Sequence, residues 1–305
     1  MGRIIITGGT GLIGSALTQV LSAKGHEVII LSRDPEKATH LPRNARAVAW
    51  DARTAEGWGK LADGALAIIN LAGATLSRPP WTAAYKRRIR DSRVNAGLAL
   101  VEAVRSAQQR PSVLVQASGM NYYGLHGDEP LDEQAPAGHD FLANVCLDWE
   151  TSTAAVESLE VRRVIIRTAL VLSRTGGVLP LLALPFRFFV GGPIGSGQQY
   201  VSWIHLADEA GAIVYLIENL NARGPFNLGA PRPVTNRQFV KALGHTLHRP
   251  SFFPVPALPL KLALGEMAEL LVLGGQRIIP QALLEAGYQF AFTDVESALR
   301  DVLGK

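Results

Sequence analysis

The opening stretch MGRIIITGGTGLIGS leaves few folds open to this chain. Arg3–Thr7 reads as a buried strand, and residues 12–24 carry an amphipathic helical pattern that Gly25 stops. Between them lie Gly8, Gly9, Gly11 and Gly14. A strand that breaks into glycines and restarts as a helix leaves bare backbone N–H groups at the positive helix end, which is a seat for phosphate. In the spacing Gly9-x-Gly11-x-x-Gly14, the first glycine is expected to permit the tight turn and the second to let a pyrophosphate approach backbone. The third lets helix and strand pack closely. A dinucleotide is therefore expected against Gly8, Thr10, Gly11, Leu12, Ile13 and Gly14.

Further apolar bursts alternate with helical patterns. Strands are expected at 27–31, 46–50, 65–71, 112–117 and 164–172, and helices at about 82–108 and 142–159. Continuous Val/Ile/Leu runs suit a parallel sheet covered on both faces, so the fold class is α/β with a Rossmann-type doubly wound parallel sheet. After Ser173 prolines and glycines interrupt this rhythm, and from Pro231 onward the pattern is mostly helical. The helix Leu206–Glu218 and a strand at 225–228 are expected to rejoin the sheet. Residues 1–172 with 205–230 then form a cofactor-binding domain. Residues 173–204 with 231–305 form a smaller, mostly helical substrate-side domain.

A chain of 305 residues that is 48% hydrophobic can bury a real core. Its net charge of +4 is scattered, and the densest basic run, Lys86-Arg87-Arg88-Ile89-Arg90, reads as a solvated helix face. No nucleic-acid partner and no metal spacing follow from it. The lone Cys146 excludes an internal disulfide and suits a reducing, cytoplasmic setting. No leader is read ahead of the first strand, and residues 179–190, broken by Pro185 and Arg187, are too short to span a membrane.

An NAD site usually ends its second strand in an acid that bonds the ribose 2′-OH. Here that position is Ser32, followed by Arg33, a hydroxyl and a guanidinium suited to a 2′-phosphate. NADP is expected over NAD.

The string TGGTGLIGSAL, Asn70-Leu71-Ala72-Gly73 and Tyr123-Gly124 resemble the extended short-chain dehydrogenase/reductase superfamily. Trp50-Asp51, Ser92-Arg93, Asp140-Phe141-Leu142, Trp149-Glu150, the glycine-rich run from Gly191 to Gly197 and Trp203-Ile204-His205 are similar to its atypical "epimerase family protein" branch. The resemblance covers nearly the whole chain. It implies NADP(H) on the Rossmann-type domain, with Asp51 near the adenine and Leu71, Ala72 and Gly73 lining the cofactor. It further implies Arg93 on the phosphate-ribose side, Val171 near the nicotinamide, and a homodimer.

Superfamily members that move hydride use a Ser or Thr, a Tyr and a Lys four residues later, whose charge makes the phenol a usable base. No tyrosine here is followed by lysine at that spacing. If Glu150 anchors the helix, Leu142 and Cys146 stand at the Tyr and Lys positions. Ser118 or Gly119 falls at the hydroxyl position, depending on whether Tyr122 or Tyr123 anchors the loop. The expected catalytic candidates are Ser118, Tyr122 and Tyr123, with Lys86 and His126 as other titratable groups near the crevice. Residues 191–198 and Trp203 are expected to border the substrate, and His205 to cap its helix. Two functions follow. One is an NADP(H)-dependent oxidoreductase or epimerase-like enzyme for a small carbonyl or sugar-derived substrate; the other is a degenerate protein that senses NADP(H).

Overall fold

A computed structural model describes residues 1–304. Its central sheet has seven strands: β1 (Arg3–Thr7), β2 (Glu27–Ser32), β3 (Ala45–Ala49), β4 (Ala65–Asn70), β5 (Val113–Gly119), β6 (Arg162–Thr168) and β7 (Gly224–Leu228). All pair in parallel, in the order β3-β2-β1-β4-β5-β6-β7. The pleat sends alternate side chains to opposite faces, and both faces are covered. Ile4 and Ile6 enter one apolar core, Ile5 the other, and all three are fully buried. The first core is roofed by α1 (Leu12–Ala23) and α5 (Leu206–Glu218), and the second by α2 (Ala83–Ser106). Strand order reverses between β1 and β4, and in such sheets ligands bind outside the strand C-termini at that crevice.

Two expected elements are divided. The strand anticipated at 164–172 leaves the sheet after Thr168, and Leu170–Leu172 pairs instead with Trp203–His205. Between them the Ala169 N–H is bonded to Leu228 O (2.9 Å), so the chain turns without orphaning backbone. The helix anticipated at 142–159 stops as α3 (Phe141–Thr151), and a 3₁₀ turn, Ala154–Leu159, ends at left-handed Glu160 (φ 60°). β7 does rejoin the sheet, at its edge beside β6.

Beyond Leu172 the chain builds another core around Leu179, Phe186, Trp203, Phe239, Leu243 and Leu299. It draws on α4 (Leu179–Arg187), α6 (Asn236–Leu247) and the helix Val295–Leu303. The helix α7 (Ala257–Leu264) lies at the surface, with no residue buried. No helix among the described residues is long and apolar enough to cross a membrane.

A buried polar chain links the strand ends at the crevice. Thr7 Oγ1 donates to Asn70 Oδ1 (2.8 Å), and Asn70 Nδ2 donates to Gln116 Oε1 (2.9 Å). The same Thr7 oxygen accepts the N–H groups of Leu71 (3.0 Å) and Ala72 (3.1 Å). Thr7→Val keeps the shape of the side chain but strands Asn70 and Ala72. It is expected to lower unfolding free energy by about 2–3 kcal/mol in urea titration, the cost of leaving buried polar groups unpaired.

Candidate functional site

The glycine loop is built by close backbone contact. Gly8 is left-handed (φ 66°), and a Cβ there would lie 2.8 Å from Leu71 O. A Cβ on Gly14 would lie 2.5 Å from both Gly8 O and Gly9 Cα. The tight turn is thus at Gly8 rather than Gly9, and the working spacing is Gly8-x-x-Gly11-x-x-Gly14. Gly9 makes room for strand β2 instead, since a Cβ there would meet the Ile30 side chain at 2.7 Å. Helix α1 starts from Gly11 with no side-chain cap and no acid in its first turn. Its first N–H groups therefore keep their capacity for an anion.

Gly8, Gly11, Leu12, Ile13, Gly14 and Leu71 form one end of a cavity of about 840 Å³. Val171 lines the same cavity, and Thr10 lines an adjoining recess of about 520 Å³. This end has the features a dinucleotide needs: backbone bare of Cβ, an uncapped helix start and the sheet crevice. The loop residues Gly192, Ile194 and Gln199 line the far side. Trp203 does not border the cavity, being fully buried with its indole N–H on Arg232 O (3.2 Å).

The other expected cofactor contacts, Ser32, Arg33, Asp51, Ala72, Gly73 and Arg93, line neither cavity. Ser32 Oγ accepts the Asp34 N–H (3.1 Å), and Asp34 pairs with Lys37. Arg33 is exposed, with no hydrogen bond or ion pair to any described residue. Asp51 accepts from the Arg53 and Thr54 N–H groups, closing a turn. Ala72 gives its N–H inward to Thr7. Arg93 is buried and donates to Ala74 O (3.1 Å) and Ile89 O (2.9 Å), lying so close to Gly73 that a Cβ there would sit 2.8 Å from its guanidinium carbon. It braces the loop after β4.

The expected proton donors are turned away from the cavity. A 3₁₀ turn, Met120–Tyr123, follows β5 and presents Met120 and Asn121 to the cavity. Tyr123 is fully buried, donating to Asn227 Oδ1 (2.7 Å) and accepting from Arg167 (3.1 Å). Burial pushes its phenol up to about 12, against the pull of Arg167. The Tyr122 ring packs edge-on to Tyr123, with the Arg167 guanidinium 3.4 Å from its centroid. Ser118 Oγ donates to Glu150 Oε1 (2.7 Å), and Glu150 pairs with Arg167 (3.0 Å). Ser118 and Tyr123 thus place their hydroxyls in a polar cluster centred on the Arg167–Glu150 pair, the half-buried Tyr122 lays its ring against it, and none of the three lines the cavity.

Neighbouring positions add no base. Burial pushes the Cys146 thiol up to about 11, so it stays a neutral thiol, and Leu142 is buried beside it on α3. Lys86 pairs with Glu266 across to the C-terminal segment. His126 bonds the Tyr123 carbonyl (2.9 Å), and His205 Nδ1 accepts the Ala207 N–H, capping α5 as expected.

Residues 4–229 match the family model described as the NAD dependent epimerase/dehydratase family. The chain belongs to that family. Residues 255–302 match a domain of unknown function (DUF1731). The chain is 36% identical over 305 residues to the epimerase family protein SDR39U1 of Bos taurus, covering 99% of each chain. It is 37% identical to the epimerase family protein YfhF of Bacillus subtilis, over 99% of this chain and 98% of that one. The human SDR39U1 (isoform2) crystal structure with NADPH superposes with TM-score 0.88 at 33% identity, covering 98% of each. The UDP-glucuronic acid 4-epimerase of Bacillus cereus shares the fold, with TM-score 0.80 at 15% identity over 98% of this chain and 97% of that one.

For a member of the epimerase/dehydratase family, one further pair stands out that motif reading missed. Thr168, at the end of β6, lines the cavity and donates to Glu209 Oε1 (2.8 Å) on α5. Glu209 is fully buried, and its Oε2 has no partner among the described residues. Burial pushes its carboxyl up to about 8, against the bond from Thr168. The folded state thus keeps a proton that the unfolded chain has lost above its ordinary carboxylate range. This contribution to stability is full below about pH 4.5 and is lost as pH rises through about 8. Glu209→Gln should flatten that fall. By thermal scanning fluorimetry, the variant's Tm should gain on wild type steadily from pH 5 to 8; parallel profiles would contradict the buried neutral acid.

Proposed function

We propose that the chain is an NADP(H)-dependent oxidoreductase or epimerase-like enzyme acting on a small carbonyl-bearing substrate. The observation that carries this is the shared cavity: the glycine cradle and the apolar wall of Leu182, Phe186, Phe239 and Leu243 line one continuous volume of about 840 Å³. When bound, the cofactor supplies or takes up hydride at its nicotinamide ring. Around it, Gly8, Gly11 and Gly14 let the pyrophosphate reach the N-terminus of α1. Arg33, with no protein partner, grips the 2′-phosphate beside Ser32. Leu71 and Val171 flank the nicotinamide end. Proton exchange with the substrate oxygen falls to the Thr168 hydroxyl, replenished by Glu209 behind it. The lone thiol accords with a cytoplasmic setting.

A second reading, a catalytically degenerate NADP(H) sensor, draws on Leu142 and Cys146. No phenol–ammonium pair exists on α3 to activate a substrate oxygen. Loss of reduced-nicotinamide absorbance against a panel of aldehydes, ketones and quinones separates the two. Turnover that Thr168→Val lowers at least tenfold in kcat with little change in KM supports the enzyme. Tight binding without turnover across the panel supports the sensor.

The cofactor assignment has its own test. Arg33→Ala removes a charge-assisted contact to one phosphate, so calorimetry should show the NADPH dissociation constant rising about 10- to 100-fold while that for NADH moves little. Equal losses for both would remove the 2′-phosphate from this position.

A further inference from the structure

The cavity end far from the glycines has a chemistry of its own. Its walls come from α4 (Leu182, Phe186), α6 (Phe239, Leu243), α7 (Leu260) and the segment around Leu270. No Lys, Arg, His, Asp or Glu lines any part of the cavity. The amides that do line it are engaged by backbone. Asn236 Oδ1 accepts the Ile194 N–H (2.9 Å), and Gln199 Nε2 donates to Ile194 O (3.0 Å). Gln276 Nε2 donates to Gly124 O (2.8 Å), and Asn121 Nδ2 donates to Leu270 O (3.4 Å). They hold the loops that shape the space. At the mouth Leu181 and Leu271 line the cavity yet are 61% and 36% exposed, and Thr75 and Ser77, exposed as well, add hydroxyls but no charge.

From this wall we infer that the substrate is an uncharged, largely apolar carbonyl compound with an alkyl or aromatic body, and not a nucleoside diphosphate sugar. A diphosphate moving in here would shed water and find no cation to replace it, a cost that an unpaired buried anion does not recover. An alkyl chain gains instead, by about fourfold in affinity for each methylene buried. Of the hydroxyl residues that line the cavity, Thr75, Ser77, Thr168 and Tyr200, Thr168 is the one bonded to a buried carboxyl, so a molecule seated by its apolar body points its carbonyl toward that pair. The inference rests on the cofactor reading above, which assigns the glycine end of the cavity to NADP(H) and leaves the apolar end for substrate.

The test is calorimetry in two stages. The full-length protein is first titrated with NADP+. The NADP+-saturated protein and the free protein are then each titrated with 2-butanone, 2-hexanone, 2-octanone and 2-decanone, and with UDP-glucose. Affinity should rise about two- to fourfold per methylene along the ketones, with no heat from UDP-glucose. A flat ketone series, or UDP-glucose binding more tightly than 2-octanone, overturns the inference. Absence of heat with NADP+ overturns the cofactor reading instead, and the ketone series on the free protein still decides this one. Leu181→Arg places charge at an exposed position and should weaken 2-decanone at least tenfold with the NADP+ heat unchanged. Unchanged 2-decanone affinity would place the ketone elsewhere and overturn the assignment.

Discussion

Backbone packed directly on backbone at Gly8, Gly9 and Gly14 is the constraint on which the site depends. Helix α1 can start beside the C-terminus of β1 only because Gly14 brings nothing between itself and the Gly8 carbonyl. Any Cβ there would move the helix off the strand and carry its free N–H groups away from the crevice. The polar chain through Thr7, Asn70 and Gln116 secures the same region from below, tying β1, β4 and β5 at the level where their loops begin. The loop is thus held rigidly before any ligand arrives, and little ordering cost remains to be met on binding.

The Arg167–Glu150 pair has a different role. It lies almost wholly buried, with Ser118 Oγ donating to Glu150, and Arg167 donating also to the Tyr123 oxygen and to Glu133 O. Burial works against the Arg167 cation, yet bonding to Glu150 holds its pKa above the usual guanidinium value. A buried pair of this kind is weak evidence of stability, but removal of one partner leaves a stranded charge. It joins α3 to β6 and packs Tyr122 and Tyr123 inward. The Ser118 and Tyr123 hydroxyls that sequence spacing nominated are consumed in building this joint.

Much of the fold was legible because its strands are buried on both faces and read as unbroken apolar runs, as Ile4-Ile5-Ile6 does. The position of Ser32-Arg33 at the end of β2 was legible because that strand could be followed from Val28 and Ile29 onward. Gly8 and Gly9 could not be told apart by spacing, since both are glycine and only the dihedral distinguishes them. The orientation of Tyr122 and Tyr123 depends on a 3₁₀ turn of one register, which a count of residues does not resolve. Thr168 and Glu209 lie far apart in sequence with no motif between them, and they meet only because α5 packs over the end of β6. The split at Ala169 was hidden because apolar runs, Val164-Ile165-Ile166 and Leu170-Val171-Leu172, lie on either side, and only Arg167 and Thr168 break them.

The chain passes back and forth between its sheet and the core around Trp203. Leu170–Leu172 and Trp203–His205 lie side by side, and Asp208 then catches the N–H groups of Ala291 (2.8 Å) and Phe292 (2.9 Å) from the returning C-terminal segment. Leu283 packs on the sheet side while Leu299 packs on the other. These contacts join the C-terminal segment to both the sheet side and the core around Trp203. Where α4 and α7 come to the surface, their leucines Leu181 and Leu260 form part of the wall of the cavity.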